Sequence, residues 1–161
     1  METLAIRNKY KLKELELNAL LEITQSINNN LPEVSLYKIY DFTLRGNLGL
    51  KKMALFVYGD EWECKVNFGS SLNCFDQPIE DEMLQHKSLT EITEKDSAFA
   101  EFDFLIPIYH KASLLALVFV GGIQGGEDPD VKKSGVRFIQ ALSNTIIVAI
   151  ENKKLARQQL E

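Results

Sequence analysis

The sequence predicts an α+β fold: a central antiparallel β-sheet of five to six strands, with N- and C-terminal helices packed on one face. Apolar residues recur every three or four positions near both ends of the chain, which is the period of a helix. In the middle they alternate with polar residues, which is the period of a strand. The 161 residues, 45% of them hydrophobic, are enough for one domain with its own core.

Two helices are predicted before the sheet. The first spans Leu4–Leu31 and is stopped by Pro32, because proline cannot continue a helix and restricts the residue before it. The second spans about Ser35–Asn47 and ends at Gly46 and Gly49, since glycine readily takes the backbone conformation that terminates helices.

The predicted sheet begins with a buried strand. Met53–Tyr58 is apolar on both faces, as expected of a central strand, and Gly59-Asp60 provides a tight turn. Trp62–Phe68 then alternates apolar and polar residues, which predicts a half-exposed antiparallel strand. The remaining predicted elements are a short helix over 79–85, a brief strand over 89–93 and a hairpin of strands over 104–109 and 114–120.

The last helix is predicted to run from Asp128-Pro129 to the end of the chain, with the aspartate as N-cap and the proline in the first turn. One domain over 1–161 is expected, with an N-terminal helix (1–31) and a C-terminal signalling helix (129–161) flanking a 32–128 core. Both end helices carry seams in steps of three and four, as in coiled coils, which predicts a homodimer. The predicted seam residues are Leu17, Leu20, Thr24, Ile27, Ile139, Leu142, Ile146 and Ala149.

Three stretches resemble the GAF family of sensory domains, which are relatives of the PAS sensors. Leu20–Ile27, followed by Leu36–Phe56, is similar to the family's opening helices and first strand. Phe104–Ile108 with Leu114–Phe119 is similar to its central hairpin, and Ala149–Leu155 to the end of its last helix. Together they span nearly the whole chain and carry mostly core-packing signals.

The two seams predict a dimer formed through the end helices, and the lack of a secretion signal and of a membrane-spanning stretch points to the cytoplasm. The resemblance implies a non-catalytic regulatory domain. It would pass a small-molecule or conformational signal to an attached C-terminal output domain, such as a protein phosphatase or a histidine kinase. The uncapped last helix, still in register at Glu161, agrees with a chain that continues. A ligand-free dimerisation module and a small GAF-fold redox enzyme remain as alternatives. A ligand would lie beneath the loops that cover the sheet, lined by Tyr58, Phe68, Phe75, Phe99 and Phe102.

The ligands best known for this family are not expected. Asn8-Lys9 and the Phe56…Asp60-Glu61 run match the letters of a cyclic-nucleotide signature but fall at the wrong place in the fold. Cys74 lacks the neighbouring histidine that bilin-binding members carry. Two cysteines are too few for a disulfide framework, so both are predicted to be reduced thiols, and no cofactor is expected.

Other function classes are disfavoured by charge and composition. A net charge of −5 without a Lys/Arg cluster disfavours nucleic acid. The sequence lacks both an apolar stretch long enough to cross a bilayer and a secretion signal, so neither membrane insertion nor export is expected. Glu82 and His86, four residues apart on a predicted helix, indicate a surface ion pair rather than a metal site. No metal site is predicted.

Overall fold

The computed structural model of the chain describes residues 2–72, 78–79, 81–93, 99–123 and 128–160. The chain forms two compact units, residues 1–49 and residues 50–161. The first unit is helical, whereas the second holds the β-sheet and the last helix. None of the helices in these described ranges combines the length and the apolar character needed to cross a bilayer.

The first unit consists of helix α1 (Glu2–Asn28) and helix α2 (Glu33–Phe42), which continues into a π-helical turn over Thr43–Asn47. One side of α2 and the turn is buried. The side-chain amide of Asn47 donates to a carboxylate oxygen of Glu22 at 3.1 Å, which ties the π-helical turn to α1. The buried residues of this side are Leu36, Tyr37, Tyr40, Thr43 and Leu44.

The end of α1 is set by an asparagine as well as by the proline. Asn30 has a left-handed backbone with φ of 56°. Its amide donates to the carbonyl of Ile27 at 3.0 Å, and the amide of Leu31 reaches the carbonyl of Ser26 at 3.5 Å. This pair of bonds is the Schellman motif, in which asparagine can replace the usual glycine. The helix therefore ends three residues earlier than the sequence predicts.

The second unit contains a five-stranded sheet in the order β2-β1-β5-β4-β3, and all neighbouring strands are antiparallel. This confirms the predicted α+β class and the predicted central position of β1. The elements are β1 (Lys52–Tyr58), β2 (Trp62–Phe68), α3 (Asp81–Leu84), β3 (Thr90–Glu91), β4 (Phe104–His110), β5 (Ser113–Gly121) and α4 (Pro129–Leu160).

Strand register divides the apolar side chains between the two faces of the sheet, because directly paired residues share a face and successive residues alternate. Ala54 pairs with Phe119, and Phe119 pairs with Leu105. The opposite face carries the intervening residues, such as Leu55 paired with Val118. One face is thus rich in phenylalanine and the other in branched aliphatic residues, and nearly all of these side chains are buried.

The β4–β5 hairpin closes with a two-residue turn at the predicted place. His110 pairs with Ser113, and the residues between them, Lys111 and Ala112, have φ of 51° and 67°. Two positive φ values define a type I′ turn, which usually contains asparagine and glycine. Lysine and alanine are sterically disfavoured in this conformation, because their Cβ atom approaches the following carbonyl oxygen.

Helix α4 begins as the sequence predicts. A carboxylate oxygen of Asp128 accepts the amide of Asp130 at 3.0 Å, so this aspartate is the N-cap and needs no metal to explain it. Helix α4 packs against β4 and β5. The residues that it buries are Val136, Ile139, Leu142, Ser143, Ile146, Ile147 and Ile150.

Candidate functional site

The phenylalanine-rich face of the sheet carries a cluster of four rings, here called the Phe cluster: Phe56 of β1, Phe119 of β5, and Phe99 and Phe102 from the segment before β4. The rings of Phe99 and Phe119 are stacked, with centroids 4.2 Å apart and planes 19° apart. Phe56 meets both of them edge-on at 5.9 Å. All four side chains are almost completely buried, so they fill the middle of this face with one another.

Backbone hydrogen bonds hold the segment that delivers Phe99 and Phe102. The amide of Phe102 donates to the carbonyl of Phe99 at 3.1 Å, which forms a tight turn. The amide of Asp103 then donates to Val120 of β5 at 2.8 Å, and its carbonyl accepts the amide of Ile92 at 2.8 Å. Residues 99–103 are thus bonded to β5 on one side and to the end of β3 on the other.

A side-chain contact fixes the same segment to the end of β2. The amide and the hydroxyl of Ser71 both donate to one carboxylate oxygen of Glu101, at 3.0 and 2.8 Å. Gly121 makes room for this arrangement, because a Cβ atom there would lie only 3.2 Å from the carbonyl oxygen of Glu101. The segment is consequently anchored to the strands around the Phe cluster.

Polar groups lie near the edge of this face. The hydroxyl of Tyr109 donates to the carbonyl of His86 at 3.2 Å, and the Thr90 hydroxyl lies 3.3 Å from Nδ1 of His86. Helix α3 ends at Leu84, so the expectation that His86 lies on the same helix as Glu82 is wrong. The partly buried apolar residues packed against the cluster are Trp62, Cys64, Leu72, Ile79, Met83, Leu84, Ile92 and Leu114.

The residues predicted to line a ligand pocket are only partly brought together. Phe99 and Phe102 belong to the Phe cluster. Tyr58 is 48% exposed and packs against Trp62, with ring centroids 5.2 Å apart. Phe68 pairs with Met53 and therefore lies on the opposite face of the sheet. Phe75 lies outside the described residues, so the pocket stays a prediction.

Helix α1 has two apolar sides. The buried one carries Ala19, Ile23 and Ser26. The other, roughly opposite on the helix, is exposed: Tyr10 is 74% exposed, Leu17 56% and Leu21 50%. The exposed set, which includes predicted seam residues and is called the α1 stripe below, is Tyr10, Leu17, Leu20, Leu21 and Thr24. Ile27, the fourth seam residue predicted in this helix, is half-buried.

Helix α4 distributes its seam differently. The predicted seam residues Ile139, Leu142 and Ile146 are buried within the chain, and Ala149 is half-buried. Their burial leaves these large side chains unavailable to a second copy. The exposed or half-buried side of α4 carries another set in steps of four and three, called the α4 seam below: Ala141, Thr145, Val148, Asn152 and Leu155.

The ionisable groups show modest perturbations. Burial raises the pKa of Glu16, and the nearby Lys13 ammonium partly offsets this. Burial likewise raises the pKa of Asp41, which the Arg45 guanidinium at 3.2 Å partly offsets. Among the described residues, no three His, Cys, Asp or Glu side chains are grouped to hold a metal ion.

Cys64 corrects an expectation from the sequence. Its sulfur is disulfide-bonded, whereas reduced thiols were predicted because two cysteines are too few for a disulfide framework. Counting cysteines excludes a framework but not a single bond. The other cysteine of the sequence, Cys74, lies outside the described residues.

No protein-family model matches the sequence, and no curated protein matches it. Among solved structures, the GAF domain of a putative sensor histidine kinase from Pseudomonas syringae pv. tomato has a TM-score of 0.65 at 14% identity, covering 97% of this chain and 97% of that one. The A. aeolicus nlh2 GAF domain in an inactive state has a TM-score of 0.68 at 14% identity, covering 88% and 99%. The GAF domain of a phosphoenolpyruvate-protein phosphotransferase from Coxiella burnetii has a TM-score of 0.65 at 14% identity, covering 90% and 98%.

These likenesses extend over nearly the full length of each GAF domain. The architecture is that of an α+β domain with a five-stranded antiparallel sheet and long terminal helices. It is a GAF fold, as the sequence resemblance implies.

Proposed function

We propose that the chain is a non-catalytic regulatory domain of a cytoplasmic signalling protein, which pairs with a second copy through the α1 stripe and the α4 seam and transmits a signal to an attached output domain. The observation that carries this proposal is the α1 stripe. Its large side chains lie opposite the side of α1 that the chain itself buries. An exposed apolar row of this length on a helix is a characteristic feature of helix pairing.

Both exposed rows are chemically suited to burial in an interface. The hydroxyl of Thr24 in the α1 stripe donates to the carbonyl of Leu20 at 2.7 Å, and that of Thr145 in the α4 seam donates to Ala141 at 2.8 Å. These polar atoms are therefore already hydrogen-bonded and would lose little on leaving water. Asn152 belongs to the α4 seam, and an asparagine in such a row commonly fixes the register of a helix pair.

The known proteins of similar fold support a regulatory role. Those reported above are a domain of a putative sensor histidine kinase and a domain of a phosphotransferase. Another is the GAF domain/HD domain protein from Geobacter sulfurreducens, with a TM-score of 0.59 at 12% identity, covering 76% of this chain and 95% of that one. Each of these GAF domains belongs to a larger protein, which favours an output domain here as well.

Sedimentation equilibrium of the intact chain tests the pairing. A dimer of the 18.3 kDa chain is expected at tens of micromolar. A monomer at that concentration contradicts the proposal.

Transmission through α4 is tested by helix phase. Insertions of different lengths after Glu151 would be made in a protein in which this domain is joined to its output domain. If α4 carries the signal by rotation or register shift, output should vary with insertion length and recover near seven residues, the length of a heptad repeat. A response that does not depend on length contradicts this mechanism.

One observation favours the second candidate, a ligand-free dimerisation module. The rings of the Phe cluster fill the middle of the face on which the sequence predicts a small-molecule ligand. Native and denaturing mass spectra of the purified domain separate the two functions. A mass retained only under native conditions supports a small-molecule sensor. Equal masses, together with a dimer in sedimentation, support the ligand-free module.

A further inference from the structure

Residues 99–103, called the strap below, lie against the end of β5 on the Phe-cluster face. A Cβ atom at Gly121 would lie 3.4 Å from the Cα atom of Phe102 and 3.6 Å from the amide nitrogen of Asp103, so the strap rests directly on the β5 backbone. Two rings of the Phe cluster are carried by strands, whereas the ring of Phe99 is supplied by a turn. A movement of Phe99 would therefore leave the pairing of the strands intact.

The strap is anchored at Asp103. Besides the two backbone bonds described above, the carboxylate of Asp103 accepts the amide of Gly122 at 3.1 Å. Gly122 has a left-handed backbone with φ of 69°, and a Cβ atom there would lie only 2.5 Å from that of Lys51, so this position requires glycine. Asp103 is thus the hinge end of the strap, and Phe99 at the other end is its tip.

Between the hinge and the tip, Glu101 joins the strap to Ser71. This contact, called the latch below, consists of the two hydrogen bonds at 3.0 and 2.8 Å. Both lie at the surface, since Ser71 is exposed and Glu101 is only half-buried. A surface hydrogen bond exchanges with bonds to water and contributes little net stability. The latch can consequently open while the hinge bonds persist.

The ring at the tip lies at the centre of the Phe cluster. Phe99 stacks on Phe119 at 4.2 Å, meets Phe56 edge-on at 5.9 Å and lies 6.4 Å from Phe102, measured between ring centroids. The space that it takes is bounded by aromatic faces and edges, which suit a flat and uncharged ring. A free molecule with such a ring would make the same contacts with Phe119 and Phe56.

We propose that Phe99 is the internal occupant of a binding site for a flat aromatic molecule, which competes with Phe99 for the site when the latch opens. The apparent affinity for that molecule is then its intrinsic affinity reduced by the fraction of chains whose strap is open. The regulatory meaning of this competition rests on the proposed function. A displaced strap would act on β5 and on β4, the strands against which α4 packs.

Calorimetric titration of the full chain with toluene tests the competition, because toluene has the ring and the Cβ carbon of a phenylalanine side chain. The wild type should bind weakly. Glu101→Ala removes both latch bonds and should raise the affinity about tenfold, whereas Ser71→Ala removes only the hydroxyl bond and should raise it less. Phe99→Ala vacates the site and should bind most tightly. Methylcyclohexane, which is similar in size but not flat, should bind severalfold more weakly than toluene.

The matched control is Glu63→Ala, which removes another exposed side-chain contact, that with Lys65 at 2.8 Å, without touching the strap. This variant should bind toluene as the wild type does. If toluene binds only to Phe99→Ala and the latch variants behave as the wild type, Phe99 is an ordinary core residue and the proposal is overturned. The latch variants change surface groups, so they keep the test decisive if Phe99→Ala fails to fold.

Amide exchange followed by NMR shows whether toluene displaces the tip. Toluene should accelerate exchange of the Phe102 amide, which donates to Phe99, while the Asp103 amide, which donates to Val120, stays protected. Bound toluene with an unchanged Phe102 amide would place the molecule elsewhere and overturn the proposal. Neither measurement depends on pairing, so a monomer in sedimentation would reject the proposed dimer without affecting the result for the strap.

Discussion

Helices α1 and α4 carry similar apolar periodicities but use them differently. In α1, the buried side combines one large residue, Ile23, with the small Ala19 and Ser26, while large residues such as Leu17 and Leu21 are exposed. In α4 the large residues, among them Leu142 and Ile146, are buried within the chain, and its exposed side is thinly apolar.

The difference shows what a seven-residue period can and cannot predict. The period identifies a helix with an apolar side, but a helix with two apolar sides gives two overlapping periods. Which of them faces the chain's own core depends on the remaining packing of the domain. The proposed dimer therefore depends mainly on α1, with α4 contributing a weaker seam.

The largest effect is expected from the buried side of α4. Leu142→Ala should lower the free energy of unfolding by about 2–5 kcal/mol, because it removes a fully buried side chain and leaves a cavity. Urea denaturation at a fixed protein concentration measures this. The control is Gln158→Ala on the same helix, at an exposed position outside the α4 seam, which should cost less than about 1 kcal/mol. Equal losses of the free energy of unfolding in the two variants would show that the buried and exposed sides of α4 do not differ in their contribution to stability.

The next effect is expected on the exposed side of α1. Combining Leu17→Gln and Leu21→Gln should raise the dimer dissociation constant at least about tenfold, or about 1.4 kcal/mol, because the interface would lose two apolar contacts. Sedimentation equilibrium measures the constant. Leu15→Gln, at a leucine outside the α1 stripe, is the control and should leave it nearly unchanged. A dimer insensitive to the double substitution would place the interface elsewhere.

A smaller effect is expected at the α4 seam. Asn152→Leu should lower the dissociation constant severalfold, since it replaces a polar residue with an apolar one in a row of apolar contacts. Gln158→Leu, which adds a leucine at an exposed position of α4 outside the seam, serves as control. If both substitutions have the same effect, added surface hydrophobicity rather than the seam is responsible.

The smallest effect concerns Glu16, half-buried in α1. Burial raises its pKa above the usual 4.5, so the protonated form favours folding, and this stabilisation is lost as pH rises through the raised pKa. At neutral pH, Glu16→Gln should therefore stabilise the chain, by less than about 0.5 kcal/mol because water screens a partly exposed group. The gain should disappear below pH 4.5 in thermal unfolding. The exposed Glu14→Gln is the control, and a gain that persists in acid contradicts this origin.

Much of the fold follows from the sequence because local patterns determine it. A run of apolar residues located β1 and alternation located β2, each to within a residue, and the Asp128 cap located the start of α4. These features depend on neighbours in the chain. The end of α1 and the type of the β4–β5 turn were less predictable, because Asn30, Lys111 and Ala112 take left-handed conformations that other residue types usually adopt.

The candidate site was less predictable because it depends on contacts between distant segments. Periodicity gives no means of learning that Phe99 stacks on Phe119, or that Phe68 lies on the opposite face from Phe56. The disulfide at Cys64 was unpredictable for the same reason, since two cysteines in a sequence do not show whether their sulfurs meet. A comparison of the two apolar rows of α1 in the sequence could have predicted its exposed side.

Lys65 is the extra residue of a β-bulge in β2, because Leu55 pairs with Val66 and Phe56 pairs with Cys64. This bulge bears on how copies of the domain avoid assembling in the wrong way. An exposed sheet edge is a template on which another chain can add a strand, and repeated addition leads to fibres. On β2 the bulge and the charged side chains of Glu63 and Lys65 interrupt that template, while β3, on the other edge, is only two residues long. Open-ended growth through the sheet is thereby discouraged, which favours a closed pair formed through helices.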